Sequence, residues 1–442
     1  MGDDVNTTRP IRQARAIPVR GVQRSRARPH LRAPIAGFFL SLLVALSPDL
    51  TLAPLNAGEP ARVGVQPIDL IAATVVPRLV RPVDFGPELA PPLRAPQPAP
   101  QPVAPPVAEN PSFQAAVEAA RAYGGAYGVT FAAVRNGEVL WAGASGRYRD
   151  GATAINGSDS LVIGSVTKTF VSATILQLAE EGRLSLADAV RAHLPNQSAV
   201  TSDITIRQLL NHTSGLADVF NDTTKVGIET HPEHAWNAAE IMATLHAPWY
   251  RPGEGYAYAN TNYYLLGLVI EQITGSTLSD ELERRFFDPL HLDATRVLTG
   301  DGSGRDSLEP AWATIFWASG AMAASATDLA RWGDALYGDA LLNEASRAEM
   351  MKLNADDYGL GVQRIEVPGA VGYGHTGMLK TYTSLLLHFP TEDVTLVLLV
   401  NRTHVDLGGM LAAKPGQGPS LLELVGVEPP RAPTPTPAPA GG

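Results

Sequence analysis

The sequence predicts an α+β fold in which an antiparallel sheet is flanked by helices. Two β-prone runs, 127–135 and 138–142, enclose Asn136-Gly137, and Asn-Gly between such runs is a strong hairpin signal. Helical patterns and turns then fill the middle of the chain to about residue 352. Strand patterns return late in the chain, at 360–367, 382–389 and 394–401. Strands at both ends of a domain with helices between them favour a layered α+β fold over a doubly wound parallel sheet.

The first 58 residues have the order of an export signal. Residues 1–32 carry eight Arg and two Asp, the apolar run 35–46 follows, and small residues surround Ala57-Gly58. We therefore expect export to the periplasm, the cell envelope or the extracellular space. The apolar run is shorter than the roughly 20 residues of a spanning helix. Cleavage is thus favoured over an uncleaved anchor, which would instead associate the protein with a membrane. A basic tail before a buried segment is the competing interpretation.

The pattern of prolines divides the rest of the chain. Residues 59–111 are rich in Pro and Ala. Because prolines join neither helices nor central strands, an extended spacer is expected here. A folded domain is expected over 112–427, beginning with a helix at 112–123. Residues 428–442 form a second Pro-rich tail.

Composition excludes several classes of function. The chain is 45% hydrophobic and 18% charged, as is typical of a globular protein with a large core. It contains no cysteine, so disulfides, thiolate metal sites and a cysteine nucleophile are ruled out. The formal net charge of the chain is −10. Residues 1–32 carry +6, so the remaining residues carry −16, and this acidic body argues against a nucleic-acid partner. The stretch His231-Pro232-Glu233-His234 lacks a third ligand, so neither a metal nor a cofactor is expected.

A serine and a lysine three residues apart carry the first chemical signal. The apolar run 161–164 is followed by Ser165, which opens a predicted helix that continues to Glu181 and stops at Gly182. Ser165 and Lys168 would share one face of that helix, and a nearby base activates a serine hydroxyl. The competing interpretation is a helix-capping serine followed by a surface lysine.

Four further stretches could bring polar groups to the same place. They are a short helix with a turn at 204–216, a lead into an apolar helix at 256–267, a glycine turn with a capped helix at 320–332, and the segment 373–378 just before a strand. Taken alone, Tyr-x-Asn is most often a turn signal, and His212 and Asp328 are interpreted as structural residues. No Gly-x-Ser-x-Gly occurs in the sequence, so the nucleophile elbow of α/β-hydrolases is not supported.

Three of these motifs, in this order, resemble the serine β-lactamase/penicillin-recognising family. They are Ser165-Val166-Thr167-Lys168, Tyr258-Ala259-Asn260 and His375-Thr376-Gly377. Within that family the chain is most similar to class C β-lactamases, secreted DD-peptidases and related esterases, over roughly residues 112–404. The resemblance implies a β-lactamase/DD-peptidase-like fold with an antiparallel sheet, flanking helices and an all-helical subdomain.

The resemblance also implies a role for each motif residue. Ser165 would be the nucleophile, Lys168 its proton acceptor, and Tyr258 the relay that delivers the proton to the leaving group. Asn260 would bind the substrate amide or the Lys168 amine. On the third motif, His375 and Thr376 would bind a substrate carboxylate, and Gly377 would allow the substrate backbone to approach. The backbone N–H groups of Ser165 and Met378 would form the oxyanion hole.

Departures from the family pattern shape the choice of function. His375 stands where β-lactamases usually carry Lys, Thr381 stands where a Gly is usual, and no Glu matches the class A deacylation base. The C-terminal helix is at most 420–427. The leading hypothesis is an exported serine hydrolase that acts as a D-alanyl-D-alanine carboxypeptidase through an acyl-enzyme. An esterase, a β-lactamase or a D-amino-acid amidase on the same fold is the alternative, and a non-catalytic sensor or binding module is the alternative from another class. The partner would accordingly be a small peptide, ester or β-lactam.

Overall fold

The computed structural model describes residues 110–195, 203–300, 304 and 307–427. The predicted export signal, nearly all of the spacer and the C-terminal tail lie outside these residues. The first helix begins one residue earlier than expected, because Asn110 caps it through its side chain and Pro111 occupies its first turn. No helix among the described residues combines the length and the apolar character that crossing a bilayer would require.

Helices occupy the middle and the two ends of the part of the chain that the structure describes. The α-helices are α1 (Pro111–Tyr123), α2 (Thr167–Glu180), α3 (Val190–His193), α4 (Ile206–Leu210), α5 (Asp222–Thr230), α6 (Ala238–Ala243), α7 (Asn260–Thr274), α8 (Leu278–Leu282), α9 (Asp288–Leu290), α10 (Pro310–Gly320), α11 (Ala326–Tyr337), α12 (Glu344–Met350), α13 (Leu407–Ala412) and α14 (Leu421–Leu424). A 3-10 turn at Gly164–Val166 precedes α2, and a π-helical stretch at Glu283–Phe287 joins α8 to α9.

Strands from both ends of the domain form one sheet. The strands are β1 (Gly128–Arg135), β2 (Glu138–Gly146), β3 (Leu161–Val162), β4 (Arg296–Val297), β5 (Met322–Ala324), β6 (Gln363–Val367), β7 (Ala370–Leu379), β8 (Tyr382–Phe389) and β9 (Val394–Val400). Six of them form an antiparallel sheet in the order β2-β1-β9-β8-β7-β6, and β3, β5 and β4 form a smaller sheet. Val129 pairs with Val400 across β1 and β9, so the early hairpin and the late strands belong to one layer. The α+β prediction and the hairpin at Asn136-Gly137 are confirmed.

The main difference from expectation is β7. The sequence pattern predicts His375 and Thr376 just before a strand, whereas both lie inside β7, which pairs with β6 on one side and β8 on the other. Glycine is depleted in strands, and glycines at 372, 374 and 377 hide the strand pattern. A Cβ at Gly374 would overlap the Leu386 carbonyl of the neighbouring strand. The glycine that makes β7 hard to recognise in the sequence is therefore required for its pairing with β8.

Both faces of the large sheet are covered. Along β9, Leu396, Leu398 and Val400 face a cluster built with α1, α13 and α14, while Val397 and Leu399 face the central helices. All seven residues of β9 are buried, because alternate side chains enter the two layers. The C-terminal segment completes the outer layer, since Leu421, Leu422, Val425 and Val427 are buried there. The functional motifs lie on the other face, between the sheet and the central helices.

Candidate active site

Ser165 lies in a tight turn between β3 and α2. The chain leaves β3 at Ile163, forms the 3-10 turn and then enters α2, so the α-helix begins after the serine rather than at it. Gly164 has a φ of +51°, and a Cβ there would lie 2.8 Å from the Met378 nitrogen, so only glycine fits this close approach. No side chain caps the turn or α2. The interpretation of Ser165 as a capping residue is therefore excluded.

The lysine one turn further along is buried and has three hydrogen-bond acceptors. Lys168 is 0% exposed. Its Nζ lies 3.1 Å from Ser165 Oγ, 2.9 Å from Asn260 Oδ1 and 2.6 Å from the Ser319 carbonyl oxygen. The interpretation of Lys168 as a surface residue is thus wrong, because its amine lies in the interior beside the serine hydroxyl.

Burial also changes the protonation of this amine. It lowers the pKa of Lys168 from 10.5 to about 7, although the nearby carboxylate of Asp218 acts in the opposite direction. A lysine with a pKa near neutrality is uncharged in a substantial fraction of molecules at pH 7. The neutral form can accept the Ser165 proton, which a permanently charged ammonium cannot do.

Tyr258 places an unpaired hydroxyl beside the serine. Its Oη is buried and has no hydrogen-bond partner of standard geometry among the described residues. Burial raises the pKa of Tyr258 well above 10, and the nearby Ser165 hydroxyl partly offsets this rise. The Lys168 Nζ lies 4.8 Å from the centre of the Tyr258 ring. Tyr258 therefore keeps its proton at neutral pH and holds it next to the reacting groups.

A directional chain of hydrogen bonds lies behind the tyrosine. The Ala259 N–H donates to His212 Nδ1 at 3.2 Å, so the His212 proton is on Nε2, which donates to the Tyr358 hydroxyl at 3.2 Å. Tyr358 in turn donates to His375 Nε2 at 3.0 Å, and His375 Nδ1 donates to the Thr376 carbonyl at 2.5 Å. These partners assign both tautomers. Every nitrogen of the two rings is engaged within the protein.

This chain gives His375 contacts within the protein on both ring nitrogens. The residue is 0% exposed, and burial, together with the charge of Lys168, lowers its pKa to about 3, so the ring is neutral. It has no free donor for a substrate carboxylate and instead belongs to the support of Tyr258. The structural interpretation of His212 agrees with the arrangement, since its ring stacks on Tyr258 at 4.2 Å between ring centres. Tyr358 links the two histidines, and no motif in the sequence pointed to it.

The edge of β7 supplies backbone groups to the site. Thr376 N and Oγ1 both donate to Gln363 Oε1 at 3.0 Å, so the Thr376 hydroxyl is also engaged. Because N–H groups alternate along a strand, the Met378 N–H points in the same direction as that of Thr376, toward Gly164. At Gly377 a Cβ would overlap the Ile163 carbonyl oxygen. The two predicted oxyanion donors, on Ser165 and Met378, are therefore neighbours.

One acidic residue of the site was not anticipated. Asp218 Oδ2 accepts from Asn260 Nδ2 at 3.2 Å, and Asp218 Oδ1 accepts from the Phe220 N–H at 2.9 Å. Burial raises its pKa, whereas these hydrogen bonds and the charge of Lys168 act against that rise. A carboxylate, an amide, an amine and the serine hydroxyl thus form one continuous series. Asp328, in contrast, lies in the first turn of α11, where its Oδ2 accepts from the Thr295 hydroxyl, in agreement with its structural interpretation.

A serine hydroxyl beside a buried lysine amine, a protonated tyrosine and backbone N–H groups is the set of groups that a serine hydrolase requires. A family model described as Beta-lactamase matches residues 113–413, and the chain belongs to this family. The resemblance found in the sequence is confirmed. The conclusion that the protein is a serine hydrolase is confirmed with it.

Several relatives of known name share parts of the chain. Protein flp of Staphylococcus aureus (strain COL) is 34% identical over 168 residues, which cover 37% of this chain and 33% of that protein. Penicillin-binding protein 4* of Bacillus subtilis (strain 168) is 26% identical over 279 residues, or 54% of this chain and 60% of that protein. The chain therefore spans about a third of the length of the first relative and less than two thirds of the second.

Solved structures extend the similarity to whole domains. A D-stereospecific amidohydrolase from a Streptomyces species has 30% identity and a TM-score of 0.59, covering 69% of this chain and 98% of that one. The D-amino acid amidase from Ochrobactrum anthropi SV3, complexed with L-phenylalanine amide, has 23% identity and a TM-score of 0.59, covering 72% and 99%. The second comparison shows the shared fold alone.

Proposed function

We propose that this protein is a serine amidohydrolase that cleaves an amide bond on the carbonyl side of a D-amino acid, through an acyl-enzyme on Ser165. The observation that carries the proposal is the 3.1 Å contact between Ser165 Oγ and Lys168 Nζ, in a site that lowers the pKa of the amine to about 7. A module that only binds its ligand would not need a buried lysine with a lowered pKa beside a serine hydroxyl. The hydrolytic alternative is therefore preferred to the sensor alternative.

The proposed mechanism follows from the protonation states. Neutral Lys168 takes the Ser165 proton as Oγ attacks the substrate carbonyl, and the N–H groups of Ser165 and Met378 stabilise the oxyanion. Tyr258, which is protonated, donates to the leaving nitrogen as the carbon–nitrogen bond breaks, and recovers a proton from the Lys168 ammonium. Water then attacks the ester carbonyl and loses a proton to the same base. The bond between the carbonyl carbon and Ser165 Oγ then breaks, and the Lys168 ammonium returns its proton to Oγ, which restores the hydroxyl and the neutral amine.

The contacts of the third motif guide the choice among substrates. Recognition of a C-terminal carboxylate needs donors, yet His375 is buried and neutral and Thr376 donates to Gln363. This weakens the original preference for a D-alanyl-D-alanine carboxypeptidase. Amidase activity is supported by the similarity to a D-stereospecific amidohydrolase that aligns over 98% of its length. The carboxypeptidase remains the second candidate because of the similarity to a penicillin-binding protein.

We also propose that the enzyme is exported, works without a metal or cofactor, and acts on small molecules rather than nucleic acid. The basic and apolar N-terminal segments support export. Expression with a C-terminal tag in a bacterial host, followed by N-terminal sequencing of the secreted product, tests it. An uncleaved protein in the membrane fraction would show that the apolar run acts as an anchor.

A substrate panel tests the proposed activity. D-Alaninamide, L-alaninamide, a D-alanyl-D-alanine peptide, nitrocefin and p-nitrophenyl butyrate are each incubated with the wild type and with Ser165→Ala. We expect release of ammonia from D-alaninamide well above that from L-alaninamide, and none with Ser165→Ala. Mass spectrometry of the quenched reaction should show the acyl group on the peptide that contains Ser165. Cleavage of the D-alanyl-D-alanine peptide without hydrolysis of D-alaninamide would favour the carboxypeptidase. Hydrolysis by Ser165→Ala at the wild-type rate would exclude the serine mechanism.

A further inference from the structure

Asp218 has an unusual environment for a carboxylate. It is only partly exposed, and burial raises its pKa. Carboxylates withdrawn from water are normally paired with a cation, yet Asp218 forms no ion pair within the part of the chain that the structure describes. Its protein partners are neutral donors: the Phe220 backbone N–H, the Asn260 side-chain amide and the Asn260 backbone N–H. The charge is thus solvated by hydrogen bonds but left without a counterion.

The nearest positive charge is the one that catalysis removes. Lys168 is the cation that counteracts the raised pKa of Asp218, and it connects to the carboxylate through Asn260. In the working state the Lys168 amine is neutral, because it must accept a proton. The Asp218 charge is then uncompensated, and the site carries a net negative charge on the helical side. A substrate that brings its own cation would restore the balance.

The surroundings of Asp218 indicate what that cation is attached to. Phe220, two residues further on, lies 5.0 Å from Phe316 between ring centres, and Trp312 stacks on Phe316 at 5.6 Å. The Phe316 carbonyl accepts from the Ser319 hydroxyl, and the Ser319 carbonyl accepts from Lys168, so the helix that carries these aromatic rings also contacts the Lys168 amine. An acidic oxygen beside an apolar wall suits a short group with an ammonium and an apolar side chain, as in an amino acid.

We propose that Asp218 binds the free α-ammonium group of the acyl part of the substrate, so that the enzyme selects amides of amino acids whose amino terminus is unblocked. This inference rests on the proposed amidohydrolase function and specifies its substrate class. N-acylated substrates, which lack the cation, would leave the carboxylate unpaired. Substrates with an anionic acyl group would be repelled by it.

A purely structural role makes a different prediction. Asp218 Oδ1 closes a turn with the Phe220 N–H, and Oδ2 orients the Asn260 amide toward Lys168. If these contacts were its whole role, removing the charge would weaken all substrates alike. If Asp218 binds an ammonium group, removing its charge should reduce the binding affinity of cationic ligands and not that of neutral ones. The ratio between a cationic and a neutral ligand therefore separates the two roles.

The experiment measures competitive inhibition of p-nitrophenyl butyrate hydrolysis at pH 7.0. The two inhibitors, D-alaninamide and N-acetyl-D-alaninamide, differ in the charge at nitrogen. For the wild type we expect D-alaninamide to bind at least about tenfold more tightly. Asp218→Asn should reduce that preference about 10- to 100-fold, the range for a charged hydrogen bond. Asp218→Glu should retain part of the preference for D-alaninamide.

Asp222→Asn is the matched control, because Asp222 carries the same charge on an exposed side chain of α5 and pairs with Lys225. It should leave the preference unchanged.

The outcomes are distinguishable. A wild type that binds both inhibitors equally, or an unchanged ratio in Asp218→Asn, overturns the inference. If D-alaninamide inhibits selectively but is never hydrolysed, the ammonium site stands and the amidohydrolase proposal fails. Should Asp218→Asn not fold, the salt dependence of the wild type decides the question. Higher ionic strength should weaken the binding of D-alaninamide and leave the binding of N-acetyl-D-alaninamide unchanged. An equal salt dependence of the two inhibition constants would overturn the proposal.

Discussion

Lys168 makes the pH dependence of the reaction the sharpest test of the site. Lowering the pKa of this amine from 10.5 to about 7 corresponds to about 5 kcal/mol of bias against its charged form. Only the neutral amine accepts the Ser165 proton, so kcat/KM should rise with pH along a single limb centred near pH 7. Two pH units below that value about 1% of the amine is neutral, and kcat/KM should be about a hundredfold below its plateau.

The assay uses p-nitrophenyl butyrate between pH 5 and 9, because the ester itself has no group that titrates there. Its p-nitrophenol product does titrate in this range, so each sample is quenched in strong alkali before its absorbance is read. The rate with Ser165→Ala is subtracted at each pH to remove spontaneous hydrolysis. A histidine could in principle produce a limb near 6.5, but burial holds the pKa of His375 at about 3 and that of His212 well below its usual value. His375→Asn should therefore lower the plateau and leave the limb near pH 7.

Two variants of this experiment fix the assignment to Lys168. Because the Asp218 charge raises the pKa of the amine, Asp218→Asn should move the limb to lower pH. Lys168→Met should abolish activity at every pH. It should also remove the rise in the free energy of unfolding between pH 7 and 10, where the unfolded lysine binds a proton that the folded one has lost. A limb at pH 4 to 5, or a rate that still rises tenfold per unit at pH 9, would contradict the reasoning.

Three further predictions concern Tyr258, Gly377 and the buried carboxylate of Glu281 on α8. Tyr258→Phe should lower kcat for amide substrates about 10²- to 10⁴-fold while the melting temperature stays near that of the wild type; unchanged kcat would remove the proton relay. Gly377→Ala would overlap the Ile163 carbonyl oxygen and should destabilise the fold by about 1–3 kcal/mol, measured by urea denaturation, with activity lost in the folded fraction. Glu281 is 2% exposed and paired with two arginines, so Glu281→Ala should lower the free energy of unfolding by about 1–3 kcal/mol. Glu283→Ala, at an exposed position, is the control. Equal losses of stability in the two variants would argue against a contribution from the ion pairs.

Local patterns predicted the parts of this fold that short-range chemistry determines. Asn136-Gly137 marked the hairpin because both residues tolerate the positive φ that such turns require. Gly182 ended α2 with a φ of +70° for the same reason. The hydrophobic run at 394–401 predicted a strand, and β9 is that strand. In each case the residue type and its immediate neighbours determine the conformation.

Long-range contacts were beyond such patterns. β7 was missed because its glycines are required by the neighbouring strand, which lies elsewhere in the sequence. Tyr358 joins His212 to His375 across 146 and 17 residues, and nothing around it in the sequence marks a partner. The role expected for His375 followed the family motif, whereas burial and its two hydrogen bonds give the ring a different one.

The orientation of Asn260 shows why a motif alone cannot specify a site. The sequence supplies an amide at this position but not the direction in which it points. Lys168 Nζ is a donor and must face Oδ1, so Nδ2 faces the opposite way and requires an acceptor. Asp218 provides that acceptor from 42 residues earlier in the chain. A reversed amide would direct Nδ2 at the lysine and Oδ1 at the carboxylate, which is unfavourable at both ends. The charge of Asp218 therefore orients the same amide that contacts the catalytic base, and a substrate cation bound to Asp218 would act on that base through one side chain.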